Sequence, residues 1–406
     1  DCGSAFEGNG TQTLQVTNSC GITGLTSITL ANTIYQQEVS QLCPSLIGNS
    51  ECSGGNLPGI YMHQWQGVVT LPAQCNSWTF SYSSCCRNTS ANLANGASEN
   101  YYWQSTINNS AAPCNNSPTV TTQMIPYVCV NQPVVYNLGI YEPDGHTLAY
   151  SFISAMTGAV GTVNYSGGFS GAIPIPGATI NTNGNISFTA TVTGNYVFAV
   201  LVEEFDANGV LVGSIIQDFQ FEVINCPANT NPVVPTGIIN FTGQGNVIAP
   251  NEIELCIGDS FCFELEFTDL NSGDSIFISS NIGLALPGAT VTQLTWQSPA
   301  IAQVCWTATA SVPANNTVVF NAKDNACPMF GITFYPIKVN VIQSTYAGPD
   351  QTLCAGDDAI INATGGSVFN WSVVPGGDTI IIGNSSFLCL GNVNGDAFYW
   401  LVLLLN

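Results

Sequence analysis

Sixteen cysteines are spread from Cys2 to Cys389, and no two of them have the C-x-x-C spacing of a zinc or redox site. An even set of dispersed cysteines reads as a framework of cross-links, and cross-links persist only in oxidising surroundings. The chain is therefore expected to be secreted and extracellular, at a cell surface, folded into small stapled modules. Such a framework favours mechanical or adhesive work over catalysis.

Helical periodicity is almost absent. Short alternating stretches recur instead: Trp78–Tyr82, Tyr196–Val200, Phe219–Val223 and Phe261–Phe267. They are rich in aromatic and β-branched residues and bounded by Gly, Asn, Asp or Pro, which predicts strands of antiparallel sandwiches. Turn dipeptides such as Asp144-Gly145, Asn183-Gly184 and Asn208-Gly209 separate the runs. The expected fold class is all-β, a series of tandem sandwiches. The longest apolar run, Ala397–Leu405, has nine residues. A membrane-spanning helix needs about 20, so direct membrane insertion is not expected.

Only 7% of the 406 residues are charged, and the basic set is Arg87, Lys323 and Lys338 against 25 Asp and Glu, a net charge of −22. A surface without cations cannot neutralise phosphates, which excludes nucleic acid and anionic lipid as partners.

An internal repeat divides the chain. Tyr127-Val128-Cys129 followed by Glu142-Pro143-Asp144-Gly145-His146 is echoed by Glu254-Leu255-Cys256 followed by Asp269-Leu270-Asn271-Ser272-Gly273-Asp274. Cys129 with Cys256, and Asp144 with Asn271, share an offset of 127 residues. A third start stands at Gly348–Cys354. The expected domains are 1–115, disulfide-rich and lacking upstream strands; 116–227 and 228–343, two sandwiches; and 344–406, a partial repeat. These boundaries divide the cysteines as eight, two, four and two. Pairing within domains predicts Cys129–Cys226, Cys262–Cys305, Cys256–Cys327 and Cys354–Cys389. The first eight cysteines allow too many connectivities to choose among. Adjacent Cys85 and Cys86 are expected on opposite faces of a strand with different partners, a vicinal disulfide being the alternative.

The stretch Leu71-Pro72-Ala73-Gln74-Cys75-Asn76-Ser77-Trp78 through Ser84-Cys85-Cys86-Arg87-Asn88 resembles the N-terminal region of large Bacteroidota surface proteins of the gliding-motility-associated, PKD-repeat type. Those proteins are exported by the type IX secretion pathway. Pro126–Pro133 and Ile216–Phe221 are similar to the same proteins, and Ala347–Cys354 with Asn370-Trp371-Ser372 resembles their PKD and Ig-like repeats. The resemblance covers most of residues 1–375 and implies Ig-like, PKD or cadherin-like sandwiches in a cell-surface adhesin, filament or stalk. Residues 376–406 depart from the repeat.

Repeats of this kind imply calcium as the one cofactor. Calcium takes six to eight oxygens at about 2.3–2.6 Å, so carboxylates and amides must converge. The matching positions are Glu142, Asp144 and His146 with Asp206 and Asn208 in the second domain, where His146 replaces a carboxylate. In the third they are Asp269, Asn271 and Asp274 with Asp324 and Asn325. The alternative is a set of Asx turns capping their own backbone. Ser275 and Thr379 lie in Asp-Ser/Thr-aliphatic triplets that fit a glycosylation acceptor pattern of the same proteins.

No catalytic motif is present. Neither His63 nor His146 lies in a nucleophile or metalloprotease pattern, and Glu203 and Glu204 must face opposite sides of a strand. The chain is not expected to be an enzyme. Tyr101, Tyr102 and Trp103 form the best candidate platform for a sugar, the alternative being core packing. Expected partners are other surface proteins, glycans, or further copies of the chain in a fibre.

Overall fold

From Ser260 to Phe267 exposed or half-buried side chains alternate with buried ones, so Phe261, Phe263, Leu265 and Phe267 all face one core. Successive side chains of a strand point to opposite faces, and this stretch forms because one of its faces is entirely apolar. The same logic builds most of the protein. The computed structural model describes residues 10–122, 127–226, 229–271, 273–309, 312–313 and 315–342, and the backbone of five short strands between 359 and 402.

The first part contributes β1 (Gln12–Asn18), β2 (Ser27–Glu38), β3 (Tyr61–Gln66), β4 (Trp78–Ser84) and β5 (Tyr101–Ile107). The second contributes β6 (Thr119–Val120), β7 (Tyr127–Cys129), β8 (Pro133–Asn137), β9 (Ile140–Tyr141), β10 (Thr147–Phe152), β11 (Thr179–Ile180), β12 (Asn185–Thr189), β13 (Gly194–Phe205) and β14 (Leu211–Ile224). The two parts share one sheet in the order β10-β13-β14-β5-β4-β1-β2-β3. The junction is Ile215 of β14 beside Ser105 of β5, so the boundary expected near 115 does not interrupt the sheet. A smaller sheet, β11-β12-β8, packs on strands β13 and β14. Tyr136, Ile186, Phe188, Phe198 and Phe221 form the core between them. Tyr196–Val200 is buried on both faces, because Leu93, Ala155 and Val163 from long loops cover Val197 and Ala199.

The third part forms a second sandwich, from which Val319 and Phe334 also enter the core of the second part. Its strands are β15 (Ile238–Gly243), β16 (Asn246–Ala249), β17 (Glu252–Cys256), β18 (Ser260–Phe267), β19 (Phe277–Ser280), β20 (Thr290–Gln293), β21 (Ala300–Thr307), β22 (Asn315–Lys323) and β23 (Ile332–Ile342). Sheet β15-β18-β21-β20 faces sheet β16-β17-β23-β22-β19 across a core that includes Ile253, Phe263, Phe267, Phe320 and Ile337. The last strands β24 (Ala359–Asn362), β25 (Asn370–Val373), β26 (Ile380–Gly383), β27 (Phe387–Leu390) and β28 (Tyr399–Val402) form two small sheets. The protein is all-β.

The repeat seen in the sequence has a structural counterpart. β7 lies parallel to β14 with Cys129 beside Ile224, and β17 lies parallel to β23 with Cys256 beside Ile342. Cys129 bonds Cys226, two residues beyond Ile224, at 2.09 Å. The corresponding position beyond Ile342 is Ser344. Cys256 therefore has no cysteine where its counterpart finds one, and it is free and exposed.

Cys327, expected to join Cys256, is bonded instead to Cys43. The strap after β2 runs onto the third part: Leu42 bridges Met329, and the Cys43 N–H donates to the Pro328 carbonyl at 2.9 Å. That contact crosses 284 residues and joins parts whose cysteines were expected to pair separately. Cys85 and Cys86 are joined to each other, against the expected separate partners. β4 stops at Ser84, so the pair lies in the loop beyond the strand and strand alternation does not separate the two thiols. Cys262 and Cys305 are cross-strand neighbours on β18 and β21 and are bonded, as are Cys20 and Cys75. Cys354–Cys389 lies outside the described residues.

Candidate functional site

The loops at one end of the third sandwich bring three carboxylates together. Asp269 follows β18, Asp274 precedes β19, and Asp324 follows β22; one oxygen of each lies within 4.8 Å of the others. Asp324 is fully buried and Asp269 is 8% exposed. Asp324 Oδ1 accepts the N–H groups of Ala326 and Gly331, both at 2.9 Å, and its Oδ2 accepts from Asn229 Nδ2 at 2.9 Å. Asp269 Oδ1 accepts the Asn271 N–H at 2.8 Å and the Thr230 hydroxyl at 3.2 Å. The other Asp269 oxygen, Oδ2, is buried with no hydrogen-bond partner, and so is Asn229 Oδ1.

Buried polar atoms without partners are uncommon in native folds, and here they are acceptors beside carboxylates. No cation offsets them: the Lys323 ammonium sits 4.1 Å over the Phe330 ring. Burial accordingly pushes the Asp324 carboxyl up to about 6 and raises Asp269 as well. Gly331 closes the cradle. A Cβ there would lie 2.5 Å from Asp324 Oδ2 and 2.7 Å from Asn231 Oδ1. This donor set, all hard oxygen with three carboxylates, has the chemistry that calcium prefers.

Two residues of the expected set stand apart. Asn271 Oδ1 is taken up by the Thr230 N–H and hydroxyl, at 3.0 and 2.6 Å. Asn325 is exposed, and its Oδ1 accepts the Ser275 N–H at 2.8 Å. Asn229 and Asn231 were not foreseen. They lie in the connector from the second part, and the only signal was the Asn231-Pro232 junction, which reads as a domain edge. Ser275 is half-buried next to Asp274, with its backbone bridged to Gln297. Thr379 lies outside the described residues.

In the second part Glu142, Asp144, His146 and Glu204 converge in the same way. Here the groups satisfy one another. Glu142 accepts the N–H groups of Asp144 and His146, and Asp144 accepts the Asn116 side chain at 2.9 Å. Buried Glu204 holds His146 Nδ1 at 2.7 Å and accepts from Asn115 Nδ2 at 3.0 Å. Burial alone would lower His146, but the Glu204 and Glu142 carboxylates outweigh it and hold the imidazolium above its ordinary 6.5. Glu204, not Asp206, is the later-strand acid of this cluster. Asp206 caps its own turn by accepting the Asn208 and Val210 N–H groups at 2.9 and 2.8 Å, the Asx arrangement weighed as the alternative.

The aromatic triplet splits by strand alternation. Tyr102 is 4% exposed, so it belongs to the core and cannot serve as a platform. Tyr101 and Trp103 face the other side, with ring centroids 4.9 Å apart. Tyr82 on β4 stacks beside Trp103 at 5.8 Å and 16°.

No protein-family model matches this chain, and no curated protein does. Solved structures with similarity include the N-terminal eight Ig domains of Down Syndrome Cell Adhesion Molecule, at 10% identity and TM-score 0.26, covering 78% of this chain and 40% of that one. An endo-fucoidan hydrolase of glycoside hydrolase family 107 matches at 16% identity and TM-score 0.19, over 65% of this chain and 39% of its own. Drosophila N-cadherin EC1-3 matches at 12% identity and TM-score 0.19, over 60% of this chain and 77% of its own. This chain thus spans about 40% of the length of the first two, and at these scores the likenesses carry no conclusion about its activity.

Proposed function

We propose that this chain is a non-enzymatic segment of an extracellular adhesin or stalk whose tandem sandwiches are clamped by disulfides and set by calcium. The observation that carries the reading is the cradle at the connector. Asp269, Asp274 and Asp324 belong to the third sandwich, whereas Asn229 and Asn231 belong to the strap entering it from the second. An ion held by both would fix the angle between modules, as a load-bearing rod requires. It would also neutralise acids that nothing else in the cradle offsets, with water completing the coordination.

The framework of cross-links supports work outside the cell. The three basic side chains are all engaged internally: Arg87 with Asp218, Lys338 with Glu252 at 3.2 Å, and Lys323 over Phe330. The charge left unpaired on the outer surface is therefore almost wholly acidic. Membership of the Bacteroidota gliding-motility type, with type IX export, rests on the resemblance of the Leu71–Asn88 stretch.

The test is a calcium titration followed by calorimetry and thermal melting. Wild type is expected to bind the ion and melt at higher temperature in its presence. The Asp269→Ala, Asp274→Ala double variant is expected to lose both effects. Equal calcium-induced shifts in the two proteins would refute the site.

A further inference from the structure

Three strands of the third sandwich turn one face toward the rest of the chain. Phe277, Lys323 and Ile332 are register partners across β19, β22 and β23, and so are Ser279, Asn321 and Phe334, so these six side chains stand on the same side of the sheet. Phe334 is taken into the core of the second part. The strap from the first part lies against the same sandwich, held by the Leu42–Met329 bridge and the Cys43–Cys327 bond. Between strap and sheet remains a cavity of about 520 Å³, with Cys43, Phe277, Phe330 and Phe334 among its apolar walls.

Three polar groups of the lining lack complements. Gln41 is 6% exposed; its Nε2 donates to the Phe330 carbonyl at 2.9 Å, while its Oε1 is buried with no hydrogen-bond partner. Asn321 Oδ1, in the same lining, is buried and unpartnered as well. Buried acceptors in native folds are normally met by donors. The third group is Lys323. Its ammonium rests over Phe330 but meets no carboxylate among the described residues, whereas Arg87 pairs with Asp218 and Lys338 with Glu252. An ammonium carries three donors, and one ring face does not use them all. Asp324 also borders the cavity, with its oxygens engaged by Ala326, Gly331 and Asn229.

We infer that this cavity binds an apolar α-amino carboxylate, either the last residue of a partner polypeptide or a free amino acid. The carboxylate answers the Lys323 ammonium, N–H groups answer the Gln41 and Asn321 oxygens, and the side chain fills the space walled by Phe277, Phe330 and Phe334. A wholly apolar ligand would leave both amide oxygens unpaired. An organic cation would meet Lys323, and a polyanion would meet a chain of net charge −22. The inference goes beyond the adhesin reading and uses no residue of the acidic cradle as a ligand contact.

The experiment is isothermal titration calorimetry of the whole chain with three probes: N-acetyl-alanyl-phenylalanine, its C-terminal amide, and free phenylalanine. The dipeptide acid is expected to bind, and the amide about tenfold more weakly, the loss of one charge-assisted contact. Lys323→Met is expected to bring the acid down to the affinity of the amide. Asn321→Ala is expected to weaken acid and amide alike. Lys338→Met, at an ammonium that pairs with Glu252, is the control and should leave binding unchanged. Thermal melting of each variant verifies that it is folded. Tighter binding of free phenylalanine than of the dipeptide would assign the site to an amino acid, and the reverse to a chain end. Equal affinity for acid and amide, unchanged affinity in the Lys323 variant, or no binding of either carboxylate at millimolar concentration would overturn the inference.

Discussion

Arg87 is 2% exposed at its side chain and meets the Asp218 carboxylate with both terminal nitrogens, at 2.6 and 2.5 Å. It also donates to the carbonyls of Asn100 and Met156, which ties the loop after β4 to β14 and to the loop following β10. Removing one partner of such a pair strands the other as a buried charge. Arg87→Ala is expected to cost about 3–5 kcal/mol in urea unfolding, and Arg87→Lys to recover only part of it, since an ammonium cannot reproduce the fork. A loss under about 1 kcal/mol would show that Asp218 finds water instead. His146 gives a prediction of opposite character. Its folded value lies above the ordinary one, so the charge assistance of the bond to Glu204 is complete below about pH 6.5 and is lost as pH rises through the folded value. Wild type is expected to lose about 1 kcal/mol across that window. His146→Gln should flatten the dependence of melting temperature on pH, and an unchanged profile would assign the titration elsewhere.

At the scale of elements, the cysteines show where sequence reading succeeds and where it stops. Cys262 and Cys305 sit opposite each other on adjacent strands, and Cys129 and Cys226 close the end of a parallel pair; proximity there follows from strand pairing. Cys43 and Cys327 meet through an irregular strap, which no periodicity encodes. Peptide mapping without reduction is expected to yield a Cys43–Cys327 peptide and to find Cys114 and Cys256 alkylated in the native state. A Cys256–Cys327 peptide would overturn the strap. Cys43→Ser with Cys327→Ser is expected to cost about 2–5 kcal/mol while leaving both sandwiches formed. The acidic cradle divides in the same way. Asp269, Asp274 and Asp324, which the structure brings together, were named from the resemblance to repeat modules that carry acidic turns at their ends. Asn229 and Asn231 were not, since a connector's side chains are placed by the modules on either side of it.

For the whole molecule, the continuous sheet has a consequence for cooperativity. β14 pairs β13 along its length and receives β5 near its start, and the Arg87 pair reinforces that seam. Calorimetry of residues 1–227 is expected to show one unfolding transition, not separate ones for 1–115 and 116–227. Two well-resolved peaks would support the boundary near 115.

The sequence alone determined that the protein is all-β, and it set the expectation of oxidising surroundings and of partners other than nucleic acid. These follow from local properties: a period of two in apolar residues, dispersed cysteines, and a near absence of cations. Which strands share a sheet, which distant cysteines meet, and which acids are left without a partner were decided only in three dimensions. Each depends on contacts between residues far apart in the chain, which no local spacing encodes.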